Sequence, residues 1–576
     1  MTYPSGHVPA LVYWSVLQAI LAPSAQRFQH GLASPERAQA TRLAAVLRTV
    51  SGSRQATRIQ SFARLRTARE FQDAVPLATY DTLRSDIADL TRGVPQALTQ
   101  EPVLRFEKSG GSSGASKYIP QTHQLLREFH RALAPWLCNV LRQRPATRRG
   151  PGYWSISPIG QKREITPGGI AVGTVDDTSY FPRVLQGLLA HVVAVPGTLG
   201  LLPDVESCRY VTLRCLLACS HLVMISVWHP SFLTLLMQEL DTHAERLLDD
   251  LEHGGCHPPA RPGDNASAEQ QRQRAIAHVL RCVPLPAAPE QAHVLRAVLK
   301  ADGFLPAHVL WPHLGLLSMW TDAQAQHFIP PVVHRFAGVE IQGKGLLATE
   351  GVVSVPLFEA PAPVLAIRSH FYEFIDIECP EARPRLAHEL ETGYTYEVVI
   401  STGGGLLRYR LGDLVRVEGT VHRTPCLTFL GRADAVSDLV GEKLSSRRVS
   451  TVLVTACNRI VMGKRLLFAM LAPAWTAPPA YHLYVESDAS DATLHALARL
   501  VDELFCAGHP YHYARQLGQL GAVQAIRVED AARRYEARCV ALGQRAGDVK
   551  PVDLHCDTGW DQVFAGRLLA HEGASA

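Results

Sequence analysis

Nine residues constrain this chain more than any other stretch: Ser109-Gly-Gly-Ser-Ser-Gly-Ala-Ser-Lys117, seven of them glycine or serine. A run so poor in side-chain bulk loses too much backbone entropy to sit in a helix or strand, so it predicts a loop. A strand-like run, Pro102–Phe106, leads into it, and the periodic segment from His123 to Leu141 after it predicts a helix. Strand, small-residue loop and helix is an arrangement that holds phosphates, because backbone N–H groups approach the anion and a lysine adds charge. The register is not Walker A, which needs Gly, four residues and Gly-Lys-Ser/Thr. Gly110-Gly-Ser112-Ser-Gly114 also fits the G-x-S-x-G nucleophile elbow of hydrolases, and a plain Gly/Ser linker fits too. On local grounds the three readings stand level.

The rest of the chain supplies context. Its 576 residues exceed one ordinary domain and predict two to four folding units. Residues 35 to 95 read as helices. The apolar tract Tyr210 to Leu240 is interrupted by Arg214, His221, His229 and Pro230, so it falls short of a membrane span and reads as helix, strand, helix. The leading apolar stretch, Leu11 to Leu21, has no basic flank and reads as a short helix rather than a signal peptide. Glu252 to Gln270 reads as a surface loop. Strands dominate from Gly345 to Val417. Composition changes after Arg432, which predicts a boundary: a large domain over 1–432 and a small α+β domain over 433–576. The expected class is therefore α/β (α+β), sheets flanked by helices with a small mobile C-terminal unit. A formal charge of +4 argues against a nucleic-acid binder. Twelve scattered cysteines without a C-x-x-C pair predict free thiols in a cytoplasmic protein and no zinc site.

Three further stretches break the tie over the loop: Leu347-Ala-Thr349-Glu350-Gly351, Leu407-Arg-Tyr409-Arg410-Leu-Gly412-Asp413, and Gly431-Arg432-Ala-Asp434 with Gly441-Glu-Lys443 behind it. With the nonapeptide, they resemble in kind and order the motifs of the adenylate-forming superfamily of acyl-CoA synthetases, firefly luciferase and peptide-synthetase adenylation domains. Within it, the chain is most similar to the Gretchen Hagen family, the auxin-responsive acyl acid amido synthetases and their bacterial relatives. Val75-Pro76, Tyr80-Asp81, Phe106, Lys117-Tyr-Ile-Pro120, Trp311-Pro312-His-Leu314 and Phe371-Tyr-Glu-Phe374 carry that likeness over most of residues 35 to 565.

The resemblance implies ATP and Mg²⁺ as cofactors, and a carboxylic acid and an amine, an amino acid, as partners. It assigns Ser109, Gly110, Gly111, Ser112, Ser113, Gly114 and Lys117 to the ATP phosphates, and Thr349 and Glu350 to ATP and the metal. Asp413 takes the ribose hydroxyls with Arg432 assisting, and Tyr372 joins the nucleotide or acyl pocket. Lys550, in Gly547-Asp-Val-Lys550-Pro551, matches the mobile adenylation lysine, with Lys443 the second candidate. Rotation about Arg432–Asp434 is expected to exchange the two half-reactions. These residue types suit the chemistry, since a carboxylate attacking a phosphate needs repulsion neutralised and a leaving pyrophosphate stabilised.

Two positions depart from the family. Leu346 stands where a tyrosine usually packs on adenine, and Gly111 replaces a serine in the loop. Neither removes a charge the reaction needs. The apolar regions 180–240 and Trp311–Trp320 are expected to line the acyl pocket, and a monomer is the default. A coenzyme A ligase sharing the first half-reaction, and a serine esterase using Ser112, are the competing readings.

Overall fold

The computed structural model describes residues 7–109, 117–156, 164–173, 183–261, 265–433, 436–461, 464–507, 509–542, 544 and 546–569. Gly110, Gly111, Ser112, Ser113, Gly114 and Asp434 lie outside the described residues. The first described helix, His7–Leu32, is longer than the short one expected from Leu11–Leu21. Trp14, Leu17, Leu21, Phe28 and Leu32 recur at helical spacing and are all buried, which carries the helix past the polar interruptions. It packs along His123–Gln143, whose N-terminus is capped by Thr122 accepting from the Leu125 N–H at 3.2 Å.

The Gly/Ser run sits differently from its sequence reading. Strand β1 (Arg105–Ser109) pairs antiparallel with β2 (Lys117–Gln121), Ser109 opposite Lys117. The His123–Gln143 helix starts only after β2. The helix expected directly after the run is thus corrected: strand β2 comes before it. Val103 to Phe106 and Tyr118 to Ile119 are β-formers, and the ladder they make outweighs continuation of the helix toward the glycines.

A four-stranded parallel sheet lies at the centre of the large unit, β3 (Gly152–Trp154), β4 (Met224–Ser226), β5 (Leu316–Met319) and β6 (Glu340–Gly343), in that spatial order. Its inner strands are short and wholly buried, as helix-covered parallel strands must be. The tract 210–240 supplies helix Val205–Leu217, β4 and helix Pro230–His253, the expected alternation.

Beyond β6 the chain makes a small hairpin of β7 (Leu347–Ala348) and β8 (Gly351–Val352), then β9 (Ser354–Val355) and β10 (Val364–Leu365). Strands β11 (Phe371–Asp376), β12 (Arg385–Leu386), β13 (Thr395–Ser401), β14 (Tyr409–Val421) and β15 (Thr424–Arg432) follow. With β9 and β10 they form a seven-stranded antiparallel sheet in the order β12-β11-β13-β14-β15-β10-β9.

After the short pair β16 (Val436–Ser437) and β17 (Leu444–Ser445), a separate sheet is built from β18 (Leu466–Ala474), β19 (Ala480–Ser487), β20 (Gln524–Arg527) and β21 (Arg567–Leu568). Alternation along β19 sends Tyr481, Leu483 and Val485 to one core, under helices Ser446–Ile460 and Asp491–Cys506, and Tyr484 to the other. That second core includes Phe328 of the large unit, whose ring meets Phe468 with centroids 6.4 Å apart. Arg209 donates twice to Glu536 across the same junction, at 2.7 and 2.6 Å, both side chains being buried. All twelve cysteines are free, and no described helix is long and apolar enough to cross a membrane.

Candidate active site

The β7–β8 hairpin leaves Thr349 and Glu350 as its two-residue turn, since Ala348 pairs with Gly351. Gln121 of β2 donates to the Thr349 carbonyl at 3.1 Å, which ties the turn to the strand that follows the Gly/Ser run. Thr349 Oγ1 donates to Glu350 Oε2 at 3.0 Å, and Glu350 is buried. Behind the turn, Val352 N–H donates to His370 Nε2 at 3.1 Å, so the ring proton sits on Nδ1 and is given to Glu128 at 2.9 Å. Glu128 also accepts from Gly403 N at 2.9 Å. A Cβ on Gly351 would lie 2.7 Å from both His370 Nε2 and Ile400 Cδ1, so only glycine fits beside this relay.

Asp413 and Arg432 are cross-strand partners on β14 and β15. Their closest approach is 3.4 Å, and Arg432 Nη2 also holds the Leu411 carbonyl at 3.0 Å. Gly412 adopts φ 73°, and its carbonyl accepts from Ala433 N at 2.7 Å. Both features turn the strand end so that Asp413 is buried yet beside a half-exposed arginine.

Tyr409, at the start of β14, joins these groups. Burial pushes its hydroxyl pKa well up, Glu350 and Asp413 push the same way, and Arg432 opposes them. Tyr80 also acts on it. The Tyr80 hydroxyl accepts from Tyr118 N at 3.0 Å, and Lys117 Nζ lies 5.7 Å from the Tyr80 ring centroid. Charges of Glu350, Asp413 and Arg432 thus act on the Tyr409 phenol, and Lys117 faces the Tyr80 ring. Sequence reasoning quoted Tyr409 and Tyr80 within motifs without giving them a place. The Glu128–His370 relay left no local signal, because its members lie 242 residues apart.

Tyr372 requires a correction. It is fully buried, and its hydroxyl donates to the carbonyls of Val352 at 2.6 Å and Ala366 at 3.1 Å. The residue presents no surface to a nucleotide or an acyl group. It braces the sheet beneath β8.

Lys550 lies on the small unit with its ammonium 3.7 Å from the Trp320 ring centroid, and its carbonyl accepts from Tyr535 at 3.2 Å. Beside it, burial and then the Lys550 charge push the His229 imidazole down to about 3. Lys443 is exposed at φ 47° in the turn before β17.

A small apolar cleft opens at the carboxyl ends of the parallel strands, where open α/β sheets bind ligands. Trp154 and Ser226 end β3 and β4, Lys344 follows β6, Trp136 and Leu133 come from the His123–Gln143 helix, and the β7–β9 arm forms the remaining side. Of the apolar regions expected to line an acyl pocket, Ser226 and Trp228 line this cleft. Trp311 is core instead, its indole N–H on the Leu216 carbonyl at 2.9 Å. The cleft's other walls went unread because three discontinuous segments supply them.

The profile of the GH3 family N-terminal domain matches residues 24–341, and that of the GH3 family central domain matches 363–432. A probable indole-3-acetic acid-amido synthetase, GH3.12 of Oryza sativa subsp. japonica, is 24% identical over 543 residues, 84% of this chain and 86% of the relative. A jasmonoyl-L-amino acid synthetase, GH3.5 of the same plant, is 25% identical over 492 residues, 79% of this chain and 81% of the relative. The solved structure of the GH3.15 acyl acid amido synthetase has a TM-score of 0.80 at 16% identity, covering 95% of this chain and 96% of its own, and so shares the fold.

Proposed function

The chain belongs to the GH3 family, and on that premise we propose that it activates a carboxylic acid with ATP and transfers the acyl group to an amine. In the first half-reaction a carboxylate oxygen attacks the α-phosphorus, and the bond to pyrophosphate breaks. In the second, an amino-acid nitrogen attacks the acyl carbonyl, loses a proton and expels AMP, leaving an amide. The observation that carries this reading is the cross-strand contact of Asp413 with Arg432, together with the buried Glu350 at the turn of the arm that walls the cleft.

Each residue has a task that its surroundings support. Asp413 accepts from the ribose hydroxyls, and Arg432, held on Leu411, keeps the aspartate charged and oriented. Lys117 and the Gly/Ser run hold the outer phosphates. Glu350 suits magnesium: it is a buried oxygen donor steadied by Thr349, and this metal takes one or two carboxylates plus substrate phosphates. Among the described residues no cluster of three or more metal-binding side chains exists, in keeping with a metal that arrives with its nucleotide. When bound, the ion would spread phosphate charge. Lys550 is the cation brought to the reacting carboxylate when the small unit, residues 433–576, moves on the large one, residues 1–432. The enzyme is read as a cytoplasmic monomer.

The strand after the Gly/Ser run speaks against the esterase reading, because a nucleophile elbow needs a helix directly after the turn and here β2 intervenes. The test is ATP consumption with hydroxylamine trapping across aryl, indolyl and short-chain acids. An acid-dependent hydroxamate with AMP and pyrophosphate is expected, followed by amide formation when amino acids replace hydroxylamine. Thioester formation with coenzyme A but no amide would overturn the acceptor. ATP-independent ester cleavage alone would overturn the whole reading.

A further inference from the structure

Among the residues lining the cleft, Lys344 is the charged one. It follows β6 directly, its N–H bound to the Met319 carbonyl at 2.8 Å. Its side chain is half-buried, with Nζ donating to Ser226 Oγ at 2.8 Å. The ammonium lies 4.5 Å from the Trp228 ring centroid and 5.6 Å from that of Trp136. Both distances fall within the reach of a cation over an indole. Trp136 is itself fixed, its N–H on Gln342 Oε1 at 2.9 Å. A lysine needed only to end a strand would keep its ammonium in water, since partial desolvation disfavours the charge. Here the cation is anchored by a hydroxyl and two rings at the wall of an apolar cleft, as a recognition group is.

Its place along the cleft identifies what it recognises. The arm runs from Lys344 through Gly345 and Leu346 to the turn at Glu350, with Leu347 opposite Val352 and the Val353 N–H on the Leu346 carbonyl at 2.8 Å. The cleft lies along this arm, touching Leu347 and Val352 toward the turn, and Lys344 and Pro356 toward the base. An acid bound with its reacting carboxylate at the Glu350 end therefore turns its other end to Lys344. Resting on the adenylation reading above, we propose that Lys344 is a specificity-determining residue that pairs with an acceptor on the far end of the acid. The substrate class is an aryl acid bearing a second acceptor group, a hydroxyl or carboxylate, with the ring between Trp136, Trp154 and Trp228.

The experiment compares kcat/KM, by pyrophosphate release, for three probes of one length. They are 3-phenylpropanoate, 3-(4-hydroxyphenyl)propanoate and 3-(4-carboxyphenyl)propanoate. The wild-type enzyme is expected to prefer a substituted probe by at least about tenfold, as a charge-assisted pair supplies. Lys344→Met should bring that ratio to within about twofold, with the loss in KM rather than kcat. Ser226→Ala, which removes the hydroxyl anchor but keeps the charge, should move the ratio the same way by a smaller amount. A Lys344→Met enzyme that loses all three acids equally would overturn the proposal, since Lys344 would then serve the reacting carboxylate or the packing of Trp228. A wild-type enzyme without preference overturns it as well. Adenylation of no acid in the wider panel would overturn the adenylation reading itself, a distinguishable result.

Discussion

Asp413 and Arg432 approach to 3.4 Å across two strands, and the proposed function gives the aspartate to the ribose hydroxyls. Asp413→Asn is expected to weaken nucleotide binding by at least about tenfold, the worth of a hydrogen bond to a charged group, read by calorimetric titration with ATP. Glu350→Gln keeps the size and the bond from Thr349 while removing the charge. Pyrophosphate exchange should fall by at least about a hundredfold with thermal unfolding unchanged. Tyr372→Phe should do the opposite. It leaves the Val352 and Ala366 carbonyls without their hydroxyl, costing about 1–3 kcal/mol of stability by urea unfolding, with the KM for ATP unmoved. A raised KM would return Tyr372 to the pocket. These three residues also mark what single positions disclose. Glu350 and Asp413 stand in motifs whose chemistry needs a carboxylate, whereas Tyr372 has the same letter whether it faces a ligand or a core.

At the scale of elements, the structure changes the frame around the motifs more than the motifs themselves. The strand at Lys117–Gln121 was not legible, because the pairing of Ser109 with Lys117 is a tertiary choice between two competing periodicities. The Arg209–Glu536 pair joins helix Val205–Leu217 to helix Ala531–Ala541 and was not legible at all. Burial raises the Glu536 pKa while the Arg209 charge opposes it, as expected of a carboxylate enclosed at a junction. Arg209→Met alone should destabilise the junction by about 3–5 kcal/mol, since it leaves a buried carboxylate unpartnered. The double variant Arg209→Met/Glu536→Leu should recover most of that loss, measured by unfolding and by proteolysis of the 433–436 connection. Additive losses would mean that the pair does not join the two units.

Over the whole molecule, His229 links the sheet, the small unit and the response to pH. It caps helix Pro230–His253 by accepting from Ser231 N at 3.2 Å, stacks edge-on to Phe328 at 4.9 Å, and feels Lys550 across the junction. Its folded pKa of about 3 lies below the ordinary histidine value, so the fold holds the neutral ring. The unfolded chain takes up a proton below about pH 6.5, so this stability is fully present above that value. It is lost as pH falls toward 3, at about 1.4 kcal/mol per pH unit. His229→Asn, which keeps a capping oxygen, should flatten the acid limb and recover about 2 kcal/mol at pH 5 by urea unfolding. An unchanged slope would mean the ring escapes its burial.

The sequence by itself determined the residue chemistry. It gave the order of four motifs, the carboxylates and cations a nucleotide needs, the change of character after Arg432, and the helix–strand–helix reading of 210–240. These are local, carried by residue type and spacing along a few turns of chain. Only the tertiary structure decided that Tyr409 and Tyr80 stand among those charges, that Tyr372 does not, and that Lys344 ends a cleft walled by Trp136, Trp154 and Trp228. Each of those facts depends on contacts between segments up to some hundreds of residues apart, and a side chain carries no mark of which distant partner will exclude water from it.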